Sequence, residues 1–131
     1  MLETIGNRPR AAGKRLLLES LSSESANVRA TALRALGKRK IDSASPQVLA
    51  LLGDIELEVR RAAAVVAGAL KVREAAPLLL KTAAEDDLFL RSASLESLRQ
   101  LEQPTAVSLA VDSLPASETQ LAALAYLADF G

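Results

Sequence analysis

Three arginines have the type and spacing to do chemistry. Arg29, Arg60 and Arg91 each follow an apolar residue, Val28, Val59 and Leu90, and each lies 31 residues after the one before. A guanidinium offers planar pairs of N–H donors, so three in phase could hold phosphates or carboxylates along one edge of a repeating structure. The competing role is structural. Asp54 and Glu85 stand six residues before Arg60 and Arg91, where a bidentate pair would tie a turn to the helix that follows it. Arg29, Arg60, Arg91, Asp54 and Glu85 are therefore expected to form a structural ladder.

Other reactive groupings are thin. With no histidine and no cysteine, the chain lacks a Ser-His-Asp triad, a thiolate nucleophile and the usual zinc ligands. The acidic run Glu85, Asp86 and Asp87 has neither the alternating oxygen ligands nor the glycine of a calcium loop, so turn chemistry explains it better. Tyr126 and two phenylalanines, without tryptophan, make no stacking platform for bases. No catalytic residue, cofactor or metal is expected. Sixteen basic and sixteen acidic residues cancel, which removes the electrostatic case for nucleic acid or an anionic membrane. Apolar runs fall well short of the ~20 residues that span a bilayer. Residues 1–6 lack the basic start and apolar core of a secretory signal, and the compartment stays open.

The elements that would position these residues follow from the same period. Leu33, Ala64 and Leu95 keep the 31-residue spacing, as do Leu36, Ala67 and Leu98, Leu17, Val48 and Leu79, and the pair Pro46 and Pro77. A repeat of that length carried by leucine and alanine reads as stacked helical hairpins. Pro46 and Pro77 suit the first turn of a helix A, where the missing N–H costs nothing. Helix B starts near each apolar–arginine pair and buries Val28, Ala32, Leu33 and Leu36, or Leu90, Ser94, Leu95 and Leu98. Gly37 and Gly68 lie close to the end of helix B, where glycine permits a left-handed turn; Gly68 could instead be a close-packing point inside the helix. The predicted fold is all-α, a right-handed α-solenoid of stacked antiparallel helix pairs. Its units are 9–39, 40–70, 71–101 and a degenerate 102–131, with 1–8 as the tail of a preceding repeat. In the last unit, helix A spans about 105–114 and helix B about 117–130, capped by Ser117 or Thr119. Gln120 takes the arginine place if two residues are removed; a one-residue insertion gives the other register.

The units resemble HEAT-like repeats, in particular the short variety first associated with phycobilin lyases. The likeness is clearest over 54–70, Asp-Ile-Glu-Leu-Glu-Val-Arg-Arg-Ala-Ala-Ala-Val-Val-Ala-Gly-Ala-Leu, and 74–80, Glu-Ala-Ala-Pro-Leu-Leu-Leu. It implies a scaffold that binds proteins, nucleic acids or small molecules, and a mainly structural arginine.

In such solenoids the exposed face of helix B usually meets the ligand. Here that face should hold Ala30, Arg34 and Lys38, then Arg61, Val65 and Ala69, then Ser92, Glu96 and Gln100, running from basic through mixed to acidic. Phe89, beside a turn, has no counterpart in the other repeats. The expected function is a non-catalytic protein–protein interaction scaffold within a larger protein, with a protein or peptide as partner. The alternative is a small-molecule or chromophore-handling protein of the phycobilin-lyase type, for which Glu96 is the one carboxylate on the inner face. Leu2, Ile5 and Gly6 keep phase with Leu33, Leu36 and Gly37, and Leu124, Leu127 and Phe130 lack a following repeat. The chain is therefore expected to be part of a longer array whose bare ends associate.

Overall fold

The computed structural model describes residues 7–131, with side chains from residue 12. Leu2, Ile5 and Gly6 lie outside the described residues. Among the described residues there are eight α-helices and no strand: α1 (Asn7–Ser20), α2 (Ala26–Lys38), α3 (Ser45–Leu51), α4 (Leu57–Ala69), α5 (Ala76–Ala83), α6 (Leu88–Gln100), α7 (Val107–Asp112) and α8 (Ser117–Phe130). Odd-numbered helices are helices A and even-numbered ones helices B. The B helices pack in series, α2 on α4, α4 on α6 and α6 on α8, and each A helix leans on the B helix that follows it. The chain is an α-solenoid.

Local sequence explains the elements. Pro46 and Pro77 sit in the first turns of α3 and α5, each entered through a short 3₁₀ turn. Helix B opens two residues before the apolar–arginine pair, and the Ser25 and Asp87 side chains cap α2 and α6 by accepting from Val28 and Leu90 N–H. Ser117 and Thr119 do not cap α8; Ala116 occupies that place, and Thr119 gives its hydroxyl to the Ser113 carbonyl.

Helix α4 is enclosed by α2 on one side and α6 on the other, so Val59, Ala62, Ala63, Ala64, Val66 and Ala67 are all buried. Small side chains let three B helices approach closely. Gly37 and Gly68 serve the same end rather than a turn. A Cβ on Gly37 would meet Val66 Cγ2 at 3.0 Å, and one on Gly68 would meet the Ser97 Cα at 2.8 Å. The left-handed residues are Lys40, Lys71 and Glu102, with φ of 57°, 57° and 59°. Each closes a Schellman turn, in which Ile41, Val72 and Gln103 donate to the Leu36, Ala67 and Leu98 carbonyls. Lys40 and Lys71 reach on to the next repeat, their ammonium groups donating to the Ala69 and Gln100 carbonyls. Those carbonyls are unpaired helix ends, where a cation is favoured.

Two sequence expectations about helix α2 are corrected. Ala30 is fully buried instead of exposed, and Val28 is 42% exposed instead of buried. Val59 and Leu90, the equivalents of Val28, are fully buried, and they stand on helices that each pack on the B helix before them, α4 on α2 and α6 on α4.

Candidate functional site

The arginine ladder points inward to backbone. Arg29 donates to the Ser23 carbonyl, Arg60 to those of Asp54 and Ile55, and Arg91 to that of Glu85, each main bond spanning six residues. Gln120 makes the same reach to the Leu114 carbonyl at 3.2 Å, the register with two residues removed. The expected carboxylate pairs within a unit do not form. Asp54 pairs instead with Arg29 of the preceding repeat, through Nε to Oδ2 and Nη2 to Oδ1, both at 3.0 Å. A carbonyl takes the guanidinium of its own unit because the turn folds back along helix B, leaving the carboxylate free to reach across the stack. Burial pushes the Asp54 carboxyl up, but bonds from Arg29 and the Glu56 N–H, with the charges of Arg29 and Arg60, leave it below its ordinary value.

The exposed face is built one helix turn at a time. Residues four apart on a helix share a face, so Arg61, Val65 and Ala69 line up on α4 and Ser92, Glu96 and Gln100 on α6. Between them lies a groove of about 520 Å³, with Arg34 of α2 at its far edge. Arg34, Arg61, Val65, Ser92, Glu96 and Gln100 all line it; Lys38, one turn beyond Arg34 and exposed, does not. Its apolar surface comes from Ala62, Val65, Ala69 and Ala93, with Phe89 at one end. Val65 and Phe89 are 53% and 59% exposed.

Two charged clusters rim the groove. Arg61 holds Asp87 through two bonds of 2.9 and 2.5 Å, and its guanidinium carbon stands 5.3 Å from the centre of the Phe89 ring. Asp87 also caps α6 through Leu90 N–H, so one carboxylate both starts the helix and fixes the arginine above the aromatic ring. The Arg61 hydrogen bonds outweigh burial and hold the Asp87 carboxyl below its ordinary value. Glu96 is not a free acid: both its oxygens accept from Arg99, one also from Gln100, and Arg99 reaches Asp129 at 3.3 Å. The basic-to-acidic gradient therefore ends in a carboxylate that is already paired. The contact of Arg61 with Asp87 spans 26 residues, and only the acidic run in the sequence hinted at it.

Comparison with known proteins places this geometry. A family model described as HEAT repeats matches residues 1–63 and 14–99. No curated protein matches significantly. A chain in the complex of CpcE and CpcF of phycocyanin lyase from Nostoc sp. PCC7120 is similar in structure, with a TM-score of 0.77 and 26% identity over 90% of this chain. The similarity spans about half, 53%, of that chain's length. Among the described residues no helix is long and apolar enough to cross a membrane. With matches that together cover three quarters of its length, this chain belongs to the HEAT-repeat family.

Proposed function

We propose that this chain is a docking scaffold whose groove across α2, α4 and α6 receives a protein or peptide, with no chemistry of its own. One observation carries the reading: two large apolar side chains, Val65 and Phe89, stand exposed in a groove whose rim charges on α4 and α6 are already paired. An apolar centre with a polar, internally satisfied rim is the anatomy of a protein-binding surface. The Ser97 hydroxyl at the groove donates to the Ala64 carbonyl, an acceptor that cannot take its proton.

Affinity purification with the wild-type chain and with a Val65→Asp, Phe89→Asp variant, followed by reconstitution from purified components in a calorimeter, tests this. The partner retained should bind the wild type and lose at least about tenfold on the variant. Equal binding by both proteins would move the interface elsewhere.

A second reading has support of its own. The likeness to a chain of a phycocyanin lyase complex favours a pigment-handling role, for which the groove would hold an open-chain tetrapyrrole. Titration with such a pigment separates the two: a saturable absorbance change lost in Val65→Asp supports the second reading, and its absence leaves the scaffold.

A further inference from the structure

The charges around the groove are unevenly spent. On α4, the Arg61 guanidinium is committed to Asp87 and lies over Phe89. On α6, the Glu96 carboxylate is committed to Arg99 and Gln100. Arg34 and Lys38 differ. They sit one turn apart on α2, both are exposed, and neither makes a hydrogen bond or ion pair among the described residues. The groove is therefore apolar and electrically balanced along α4 and α6, and carries unspent positive charge only at its α2 edge, although the whole chain is neutral.

We infer that the groove selects an acidic–apolar segment of a partner protein, with a leucine- or phenylalanine-sized side chain against Val65 and Phe89 and a carboxylate on Arg34, supported by Lys38. This rests on reading the groove as a protein-docking site. Neighbouring packed helices lie about 8–10 Å apart, and an extended chain advances about 3.3 Å per residue. The acidic residue thus falls about three positions from the apolar anchor. A guanidinium without an internal partner gains most from a carboxylate, which it can take through two parallel bonds. Two cations on one helix are too few to hold a polyanion in salt. An arginine or lysine on the partner would meet Arg34 as a like charge and be rejected, so the edge also sets the direction in which the segment lies.

Selection of a random 12-residue peptide library on the immobilised full chain tests the inference, with counter-selection on Val65→Asp and comparison with an Arg34→Glu, Lys38→Glu variant. These substitutions are at exposed positions and leave the core intact. Recovered peptides should carry an apolar residue followed or preceded within about four positions by aspartate or glutamate. A synthetic copy should bind the double variant about tenfold more weakly, and raising salt should weaken only its wild-type binding. Val65-dependent peptides without acidic residues, or with equal affinity for the double variant, overturn the inference and leave the docking groove standing. If no peptide depends on Val65, or an open-chain tetrapyrrole binds where no peptide does, the inference and the reading beneath it both fall.

Discussion

Asp54 belongs to one repeat by sequence and to its neighbour by contact. Its carboxylate is held by Arg29 of the previous unit, with side-chain exposures of 13% for the arginine and 10% for the aspartate. Removing one partner of such a pair strands the other charge and costs about 3–5 kcal/mol, even though the intact pair contributes little net stability. Because the folded Asp54 carboxyl lies below its ordinary value, its stabilising share is present above about pH 4 and disappears as pH falls through the lower, folded value. Asp87 is depressed in the same direction, chiefly by its bonds from Arg61. Urea denaturation from pH 6 down to pH 2 should therefore show stability falling below about pH 4. An Asp54→Asn variant, less stable at neutral pH, should show a shallower acid loss. An acid slope identical to the wild type's would show that Asp54 is not among the groups responsible.

At the scale of helices, the packing of α4 against α6 turns on glycine. Gly68→Ala would gain about 1 kcal/mol in helix propensity, yet the new Cβ would meet the Ser97 Cα at 2.8 Å, backbone that cannot rotate away. Overpacking of that kind costs about 1–3 kcal/mol. Gly37→Ala meets Val66 Cγ2 at 3.0 Å, a side chain that can yield by a few tenths of an ångström. Gly68→Ala should thus be the less stable variant by about 1–2 kcal/mol in chemical denaturation, and equal stabilities would refute the close-packing role. These glycines also mark where the sequence stops being legible. The 31-residue period is a local signal, carried by Pro46, Pro77 and the apolar–arginine pairs, and it reached the fold class and the turns. It misplaced Gly37 because a glycine near a helix end has two uses. The turn fell instead to Lys40 and Lys71, whose side chains are drawn to the next helix end. For the groove, helical spacing brought Val65 and Glu96 onto one face. That Glu96 is neutralised by Arg99, and that Ala30 is covered, depends on how neighbouring helices dock, which no single helix pattern contains.

The whole molecule has one uneven feature at the scale of the stack. Leu33, Ala64 and Leu95 occupy the same register on α2, α4 and α6, each is fully buried, and each of these helices packs on the next B helix. With two residues removed from the fourth unit, Leu124 holds that place on α8 and is 51% exposed, beside Leu121 at 80%. No helix among the described residues covers this side of α8. Interior stacking surfaces left open behave as interfaces, since the apolar area that earlier repeats bury is still available. A few leucines give far less than the ~1,200 Å² of a stable complex, so association through this face should be weak, with Kd on the order of 100 µM or higher. Sedimentation of the isolated chain should show mass rising with concentration through that range. A Leu121→Glu, Leu124→Glu variant should stay monomeric while keeping its helical circular dichroism, because both side chains already face solvent and the substitution removes only the shared surface. A wild type that remains a monomer at millimolar concentration, or a variant that associates equally well, would show that the open face of α8 is not adhesive.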